Sequence, residues 1–176
     1  MIDNIIIRRV ELKDAQILSE LAAKTFFDTF DGTCSKQDME VFLFDYYNIE
    51  QIKKELANPN DFFYFAEIDN KPVGYIRYME DYTNYEKMKE WKALELKRLY
   101  VDKNFHGKSI AQELMKHFFD YATKNEFEVV WLGVWEFNYR AQNFYKKMGF
   151  DDTGVRHDFP IGNTPQYDIW YWKFLK

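Results

Sequence analysis

The sequence predicts a single α/β (α+β) layer domain spanning residues 1–176. Strand-like and helix-like periodicities interleave along the chain, which requires a sheet and helices packed as layers around a shared core. The run "VVWLGVW" (129–135) is almost continuously apolar, as a strand covered on both faces is. No repeat, low-complexity segment or linker divides the chain, and its length suits one compact domain with a sizeable core.

The elements follow in order. "IIIRRV" (5–10) reads as a first strand. Leu12, Ala15, Leu18, Leu21, Ala22 and Phe26 then recur at helical spacing, giving an amphipathic helix. Ser35 is a suitable N-cap for a second helix through "SKQDMEVFLFDYY", and "NIEQIKKELANP" makes a short third, stopped at Asn58-Pro59. "FFYFAEI" and "KPVGYIRYME" are aromatic and β-branched, and with "DNKP" between them they read as a hairpin. "DYTNYEKMKEWK" is polar without a period and reads as a loop.

"ALELKRLYV" (93–101) alternates. Leu94, Leu96, Arg98 and Tyr100 fall on one face, and Glu95, Lys97, Leu99 and Val101 on the other. A helix follows in which Ile110, Leu114, Phe118 and Tyr121 or Ala122 share a face. After the 129–135 strand, "NYRAQNFYKKMGF" forms a short helix with Gly149 at its C-terminal end. "DTGVRHDF" and "QYDIWYWKFL" are the last two strands.

Composition narrows the class. Aromatic residues make up 20% of the chain, far too many for a disordered one. One cysteine, Cys34, excludes an internal disulfide and a Cys-rich metal site, and suits a reducing, cytoplasmic setting. The first residues place Asp3 ahead of the apolar run, unlike a secretory leader, and no apolar stretch approaches membrane-spanning length. The net charge of −5 is uneven: residues 1–90 carry 11 Lys+Arg against 18 Asp+Glu, residues 91–176 carry 13 against 11. There is no basic stripe for nucleic acid. An acidic N-terminal half facing a cationic ligand is one reading of this asymmetry, and solvated helix faces are the other.

"NFHGKSIAQ" (104–112) leaves a strand and enters a helix, where unpaired backbone N–H groups and the helix dipole favour an anion. By itself it reads more readily as the Ser-capped start of an ordinary amphipathic helix. Together, "ELKRLYVDKNFHGKSIAQELM" and "WLGVWEFNYRAQNFYKKMGF" resemble the paired motifs of the GNAT superfamily of acetyl-CoA-dependent N-acetyltransferases. The family's pyrophosphate pattern, Gln/Arg-x-x-Gly-x-Gly/Ala, falls on His106, Gly107, Lys108, Ser109, Ile110 and Ala111. His106 and Ser109 depart from it. The second motif, Asn-x-x-Ala-x-x-Phe-Tyr-Lys-Lys-x-Gly-Phe on 138–150, is a close match. "TFFDTF", "LELKRLYV" and "WLGVWEFN" further resemble the PaiA type of spermidine/spermine N-acetyltransferase.

The resemblance implies a mixed, mostly antiparallel twisted sheet of about seven strands with helices on both faces. It implies that the 93–101 and 129–135 strands splay apart beside a bulge. Pantetheine would lie there along Leu99, Tyr100 and Val101, with phosphate charge offset by Lys103, His106 and Lys108 and further contacts from Asn138 and Lys147. It implies direct attack in a ternary complex, with no metal and no acyl-enzyme. Tyr145 would protonate the departing thiolate, and Glu95 would take the amine proton, with Glu67 and Glu136 as weaker rivals. The acceptor wall would comprise Phe26, Phe27, Asp28, Thr29 and Phe30, with Trp135 beside the channel. A cationic small-molecule amine, above all a polyamine, is the expected acceptor. An amino acid, a peptide N-terminus, an aminoglycoside, or a non-catalytic CoA-binding role are the alternatives. Monomer and homodimer both remain open; "DIWYWKF" offers either a dimer surface or a buried last strand.

Overall fold

The computed structural model describes residues 4–176, so Asp3 and the acidic start lie outside the described residues. Seven strands form one sheet: β1 (Ile6–Arg9), β2 (Asp61–Ile68), β3 (Lys71–Met79), β4 (Ala93–Val101), β5 (Val129–Trp135), β6 (Asp151–Asp158) and β7 (Tyr167–Phe174). Their spatial order is β1-β2-β3-β4-β5-β7-β6. Only the β4–β5 pair is parallel, the other pairs being antiparallel. The helices are α1 (Ala15–Phe30), α2 (Lys36–Tyr47), α3 (Ile49–Leu56), α4 (Ile110–Lys124) and α5 (Tyr139–Lys147).

Two cores sandwich the sheet. Leu114, Met115 and Phe118 of α4 pack with Leu94, Leu96, Val130 and Leu132 on one face. Leu18, Phe26, Phe42 and Ile52 of α1–α3 pack with Phe63, Phe65 and Tyr75 on the other. The β2–β3 hairpin turns through Asp69 and Asn70 at φ 51° and 62°, the left-handed conformations a tight two-residue turn demands. Both residue types tolerate that region through local hydrogen bonding. Ser35 caps α2 by accepting from the Asp38 N–H, as its position predicts.

The strict alternation expected for β4 does not hold. Pairing shifts between Arg77 and Tyr78 of β3: Arg77 faces Arg98, but Tyr78 faces Leu96, so Lys97 is the extra residue of a bulge. Side-chain parity therefore changes at Lys97. Leu94, Leu96, Leu99 and Val101 all pack against the α4-side core, while Arg98 and Tyr100 turn to the α1 side. The segment read as a loop from Asp81 to Lys92 contains a short 3-10 turn, Glu86–Glu90. Its Met88 is fully buried with Ala93, Trp131 and Trp170, an apolar anchor too isolated to show as a period.

The bulge lies beside a second irregularity. β4 and β5 pair only from Ala93↔Val129 to Leu96↔Leu132. Beyond that point the strands part, leaving residues 97–101 unpaired on their β5 side.

Candidate active site

Two cavities meet at this parting. The first, about 380 Å³, is lined by β4 residues Leu96–Tyr100, by Gly133–Trp135 of β5, by Phe26 and Phe30 of α1, and by Asp158 and Asp168. The second, about 510 Å³, is lined by Leu99–Val101, Lys103, His106, Ala111 and the start of α5. Leu99, Tyr100, Trp135, Asn138, Ala141 and Tyr145 belong to both. Both volumes suit small-molecule sites.

The second cavity is built for an anion. Ser109 precedes α4 at φ 60° and its side chain makes no cap, so the first N–H groups of the helix are not taken by a capping oxygen. The positive end of the helix dipole adds to them. Arg140 donates to His106 Nδ1, which requires the proton on Nε2; that N–H donates to the Val101 carbonyl at 2.9 Å. His106 thus braces the loop and holds Arg140 at the rim, a residue the sequence reading overlooked. Lys103 and Arg140 both line the cavity. Gly107 (φ 82°), Lys108 and Ser109 are exposed, whereas the Ile110 side chain is 1% exposed in the core and offers the site only backbone. Lys147 is exposed and lines neither cavity.

The α5 motif has a local explanation. Asn138 caps the helix by accepting from the Ala141 N–H at 3.1 Å. Small Ala141 leaves the cavities joined, and Phe144 lines the second. Buried Gln142 donates to the carbonyls of Trp135 (3.2 Å) and Glu136 (2.8 Å), fixing α5 against the end of β5. Tyr145 is thereby held at the junction, 8% exposed, with its ring edge-on to Phe144 and Phe150. Burial first, and the charge of Asp168 second, raise the Tyr145 phenol above its ordinary pKa, so it is protonated at neutral pH.

The first cavity is rich in aromatic rings. Phe26 and Phe30 of the "TFFDTF" segment line it, joined by Phe42, Tyr46, Tyr47 and Phe159, which the sequence reading did not assign. Trp135 packs 5.1 Å from Phe30, and its Nε1 donates to Gln166 Oε1 at 2.7 Å. Gln166 in turn donates to the Thr33 carbonyl, tying this wall to the end of α1. Phe27 is exposed and lines neither cavity. Asp28 lines the second cavity, not the aromatic one, and pairs with Lys103 (2.8 Å) and Lys24 (3.1 Å).

Carboxylates are distributed differently from the sequence expectation. Glu95 is 5% exposed and lines neither cavity. Lys97 Nζ lies 2.7 Å from its Oε2, a charge contact without hydrogen-bond alignment, and donates to Asp81 at 2.6 Å. Burial pushes the Glu95 pKa up to about 7 against the opposing effect of Lys97. Glu67 is buried against Arg8 on β1, and Glu136 pairs with Arg156 at 3.6 Å; neither lines a cavity. The carboxylate that does enter the first cavity at depth is Asp168. Burial raises its pKa to about 7. One signal in the sequence marked it, a lone acid sharing a strand face with Trp170 and Trp172.

Parted central strands, an anion-ready helix start and two cavities meeting at a phenol are compatible with acyl transfer from a phosphate-bearing carrier. A profile of the acetyltransferase (GNAT) family matches residues 19–150, well over half of the chain, and the chain belongs to that family. It is an N-acetyltransferase with acetyl-CoA as co-substrate. An uncharacterised N-acetyltransferase in the pepI 3′ region of Lactobacillus delbrueckii subsp. lactis is 32% identical over 161 residues, covering 92% of each chain. One from Mycobacterium tuberculosis H37Rv is 28% identical over 157 residues, covering 89% of this chain and 95% of that one. Among solved structures, the PaiA N-acetyltransferase of Thermoplasma acidophilum in complex with coenzyme A superposes with a TM-score of 0.77. It is 23% identical, over 97% of this chain and 99% of that one.

Proposed function

We propose that this enzyme acetylates a primary amine of a polyamine such as spermidine or spermine, by direct attack within a ternary complex. The observation that carries the reading is the pair of cavities opening on the two sides of Tyr145. Acetyl-CoA occupies the one beside α4, its pyrophosphate on the N–H groups after Ser109, with Lys103 and Arg140 offsetting charge. Its pantetheine follows the unpaired edge of β4 toward the junction. The acceptor occupies the aromatic cavity. Tyr145, protonated and facing both, donates to the sulfur as the carbon–sulfur bond breaks.

Aromatic walls hold methylene spacers and attract ammonium groups, while Asp158 and Asp168 supply negative charge. The cations along this cavity are already committed. Arg98 makes a two-point pair with Glu55 at 2.9 and 3.0 Å, and Lys97 is held by Asp81. A free amino acid fits less well, because its own carboxylate would meet this acidic pair without a spare cation. The likeness to the PaiA protein, 23% identical, reaches the shared fold.

Thiol release measured with spermidine, spermine, amino acids, a peptide N-terminus and an aminoglycoside tests it. The expected result is a higher kcat/KM for the polyamines. Equal or better turnover of small neutral amines would remove the polyamine assignment.

A further inference from the structure

We propose that Asp168 is the general base of this enzyme, taking the proton from the acceptor ammonium at the junction of the two cavities. The inference rests on the two-cavity reading above but not on the acceptor being a polyamine.

Asp168 sits on β7 opposite Trp135 of β5, in the part of β5 that has separated from β4. Its side chain lies over Gly133: a Cβ added there would come within 2.9 Å of Asp168 Oδ2 and 2.7 Å of Trp170. The one residue of β5 without a side chain is thus where the carboxylate needs room. Gly133 and Asp168 line the aromatic cavity together with Tyr145. The phenol comes from α5, within the α4-side core, and Asp168 from the opposite sheet face, which it shares with buried Trp170. A reacting group at the parting of β4 and β5 lies between them.

Asp168 has, moreover, no structural duty. No side-chain hydrogen bond or ion pair occupies it among the described residues, whereas Glu95, Glu55, Asp61 and Asp81 all have cationic neighbours. Asp168 is half-buried, and its carboxylate is left without a partner in a cavity lined by aromatic rings, an arrangement that suits a functional group better than a structural one. The groups facing it from neighbouring elements are few. Tyr145 of α5 and Tyr100 of β4 are phenols whose pKa burial raises first and the Asp168 charge raises further. His157 stands opposite on β6, stacked 4.7 Å from Trp170, and Asp158 follows it at the cavity wall. Arg98 and Glu95 of β4 are held by Glu55 and Lys97, and α1 contributes only Phe26, Thr29 and Phe30 to this cavity. Burial alone places the Asp168 pKa near neutrality, where a base is both ionised and able to accept a proton.

The ammonium gives one proton to an Asp168 oxygen, and the freed nitrogen lone pair attacks the thioester carbonyl carbon. The carbon–nitrogen bond forms as the carbon–sulfur bond breaks. Tyr145 supplies a proton to sulfur, and the second nitrogen proton, lost as the amide forms, restores the phenol. The products are the acetamide and CoA thiol, with one proton left on Asp168 for release to solvent.

The test is a series of primary monoamines with pKa values from about 5.5 to 10.5, assayed at pH 7 with wild type and Asp168→Asn. An amine already neutral at that pH needs no base, so the wild-type to variant ratio of kcat/KM should rise with amine pKa. It should reach about 100-fold to 10,000-fold for the most basic amines, with unchanged affinity for CoA by calorimetry. The acidic limb of the wild-type pH profile should vanish in the variant. Asp168→Glu should recover part of the activity, separating loss of the base from loss of shape. A ratio that stays flat across the series overturns the proposal, as does an acidic limb that survives in Asp168→Asn and disappears in Glu95→Gln. A rising ratio without any preference for spermidine would leave Asp168 as base and refute only the polyamine reading.

Discussion

Tyr145 reaches the junction because three neighbours fix it: the Asn138 cap, the Gln142 tether and the Phe150 ring. Tyr145→Phe preserves that packing and removes only the hydroxyl. Turnover should fall by about 10-fold to 1000-fold, with CoA affinity by calorimetry nearly unchanged. Ser109 makes the opposite case, a residue whose side chain does little. It holds a left-handed φ of 60°, and its hydroxyl caps nothing in α4. The family pattern has glycine there, the residue with no steric penalty in that region. Ser109→Gly should therefore raise stability by about 0.5–1 kcal/mol in urea denaturation, while CoA affinity stays within about threefold. A loss of stability would show that the hydroxyl has a role in holding the turn.

At the scale of elements, legibility tracked how local the cause was. The Ser35 cap, the Asp69–Asn70 turn and the α5 motif are short-range, and the sequence displays them directly. The β4 alternation failed because a bulge is set by the partner strand: the shift is visible only in how Arg77 and Tyr78 of β3 find Arg98 and Leu96. That shift turns Arg98 inward, where Glu55 of α3 binds it and also meets Arg77 at 3.0 Å, with Asp61 pairing Arg77 at 2.6 Å. Four charges from α3, β2, β3 and β4 are thus joined behind the acceptor cavity. Glu55→Ala would leave two guanidinium groups buried with one carboxylate. It should destabilise the protein by about 3–5 kcal/mol in urea, and lower kcat/KM through the displaced Arg98. The acceptor site was the least legible part for the same reason. Phe26 and Phe30 were visible in one helix, but Phe159, Gln166 and Asp168 reach the site only through the last hairpin. The charge asymmetry misled as well: Asp28 answers lysines beside the second cavity, and the acids of the first come from the C-terminal half.

At the scale of the whole molecule, two sets of shifted carboxylates have opposite effects on stability. Asp81, Asp14, Asp28 and Asp102 have depressed pKa values, Asp81 down to about 2, despite desolvation, through hydrogen bonds to Lys97, Arg8, Lys103, Lys24 and backbone N–H groups. Their contribution is present above the unfolded value near 4 and is lost as pH falls through the folded one. Asp168 and Glu95 are raised to about 7, chiefly by burial. Between about pH 4 and 7 the folded state holds protons that the unfolded chain has released, so stability declines as pH rises through that window. The raised pair therefore favours the folded state more near pH 4 than in the range in which Asp168 is ionised and able to act. Asp168→Asn removes the penalty on one side only. Its advantage over wild type in urea midpoint should widen between pH 5 and pH 8 by the equivalent of about 2–4 kcal/mol. An ammonium ligand beside the ionised carboxylate relieves the same strain. A bound amine should therefore raise the wild-type midpoint more at pH 8 than at pH 5, and the midpoint of Asp168→Asn equally at both. A wild-type midpoint flat from pH 5 to 8 would mean that Asp168 is solvated well enough to ionise at the ordinary aspartate value, and that its cavity is wetter than the surrounding aromatic rings require.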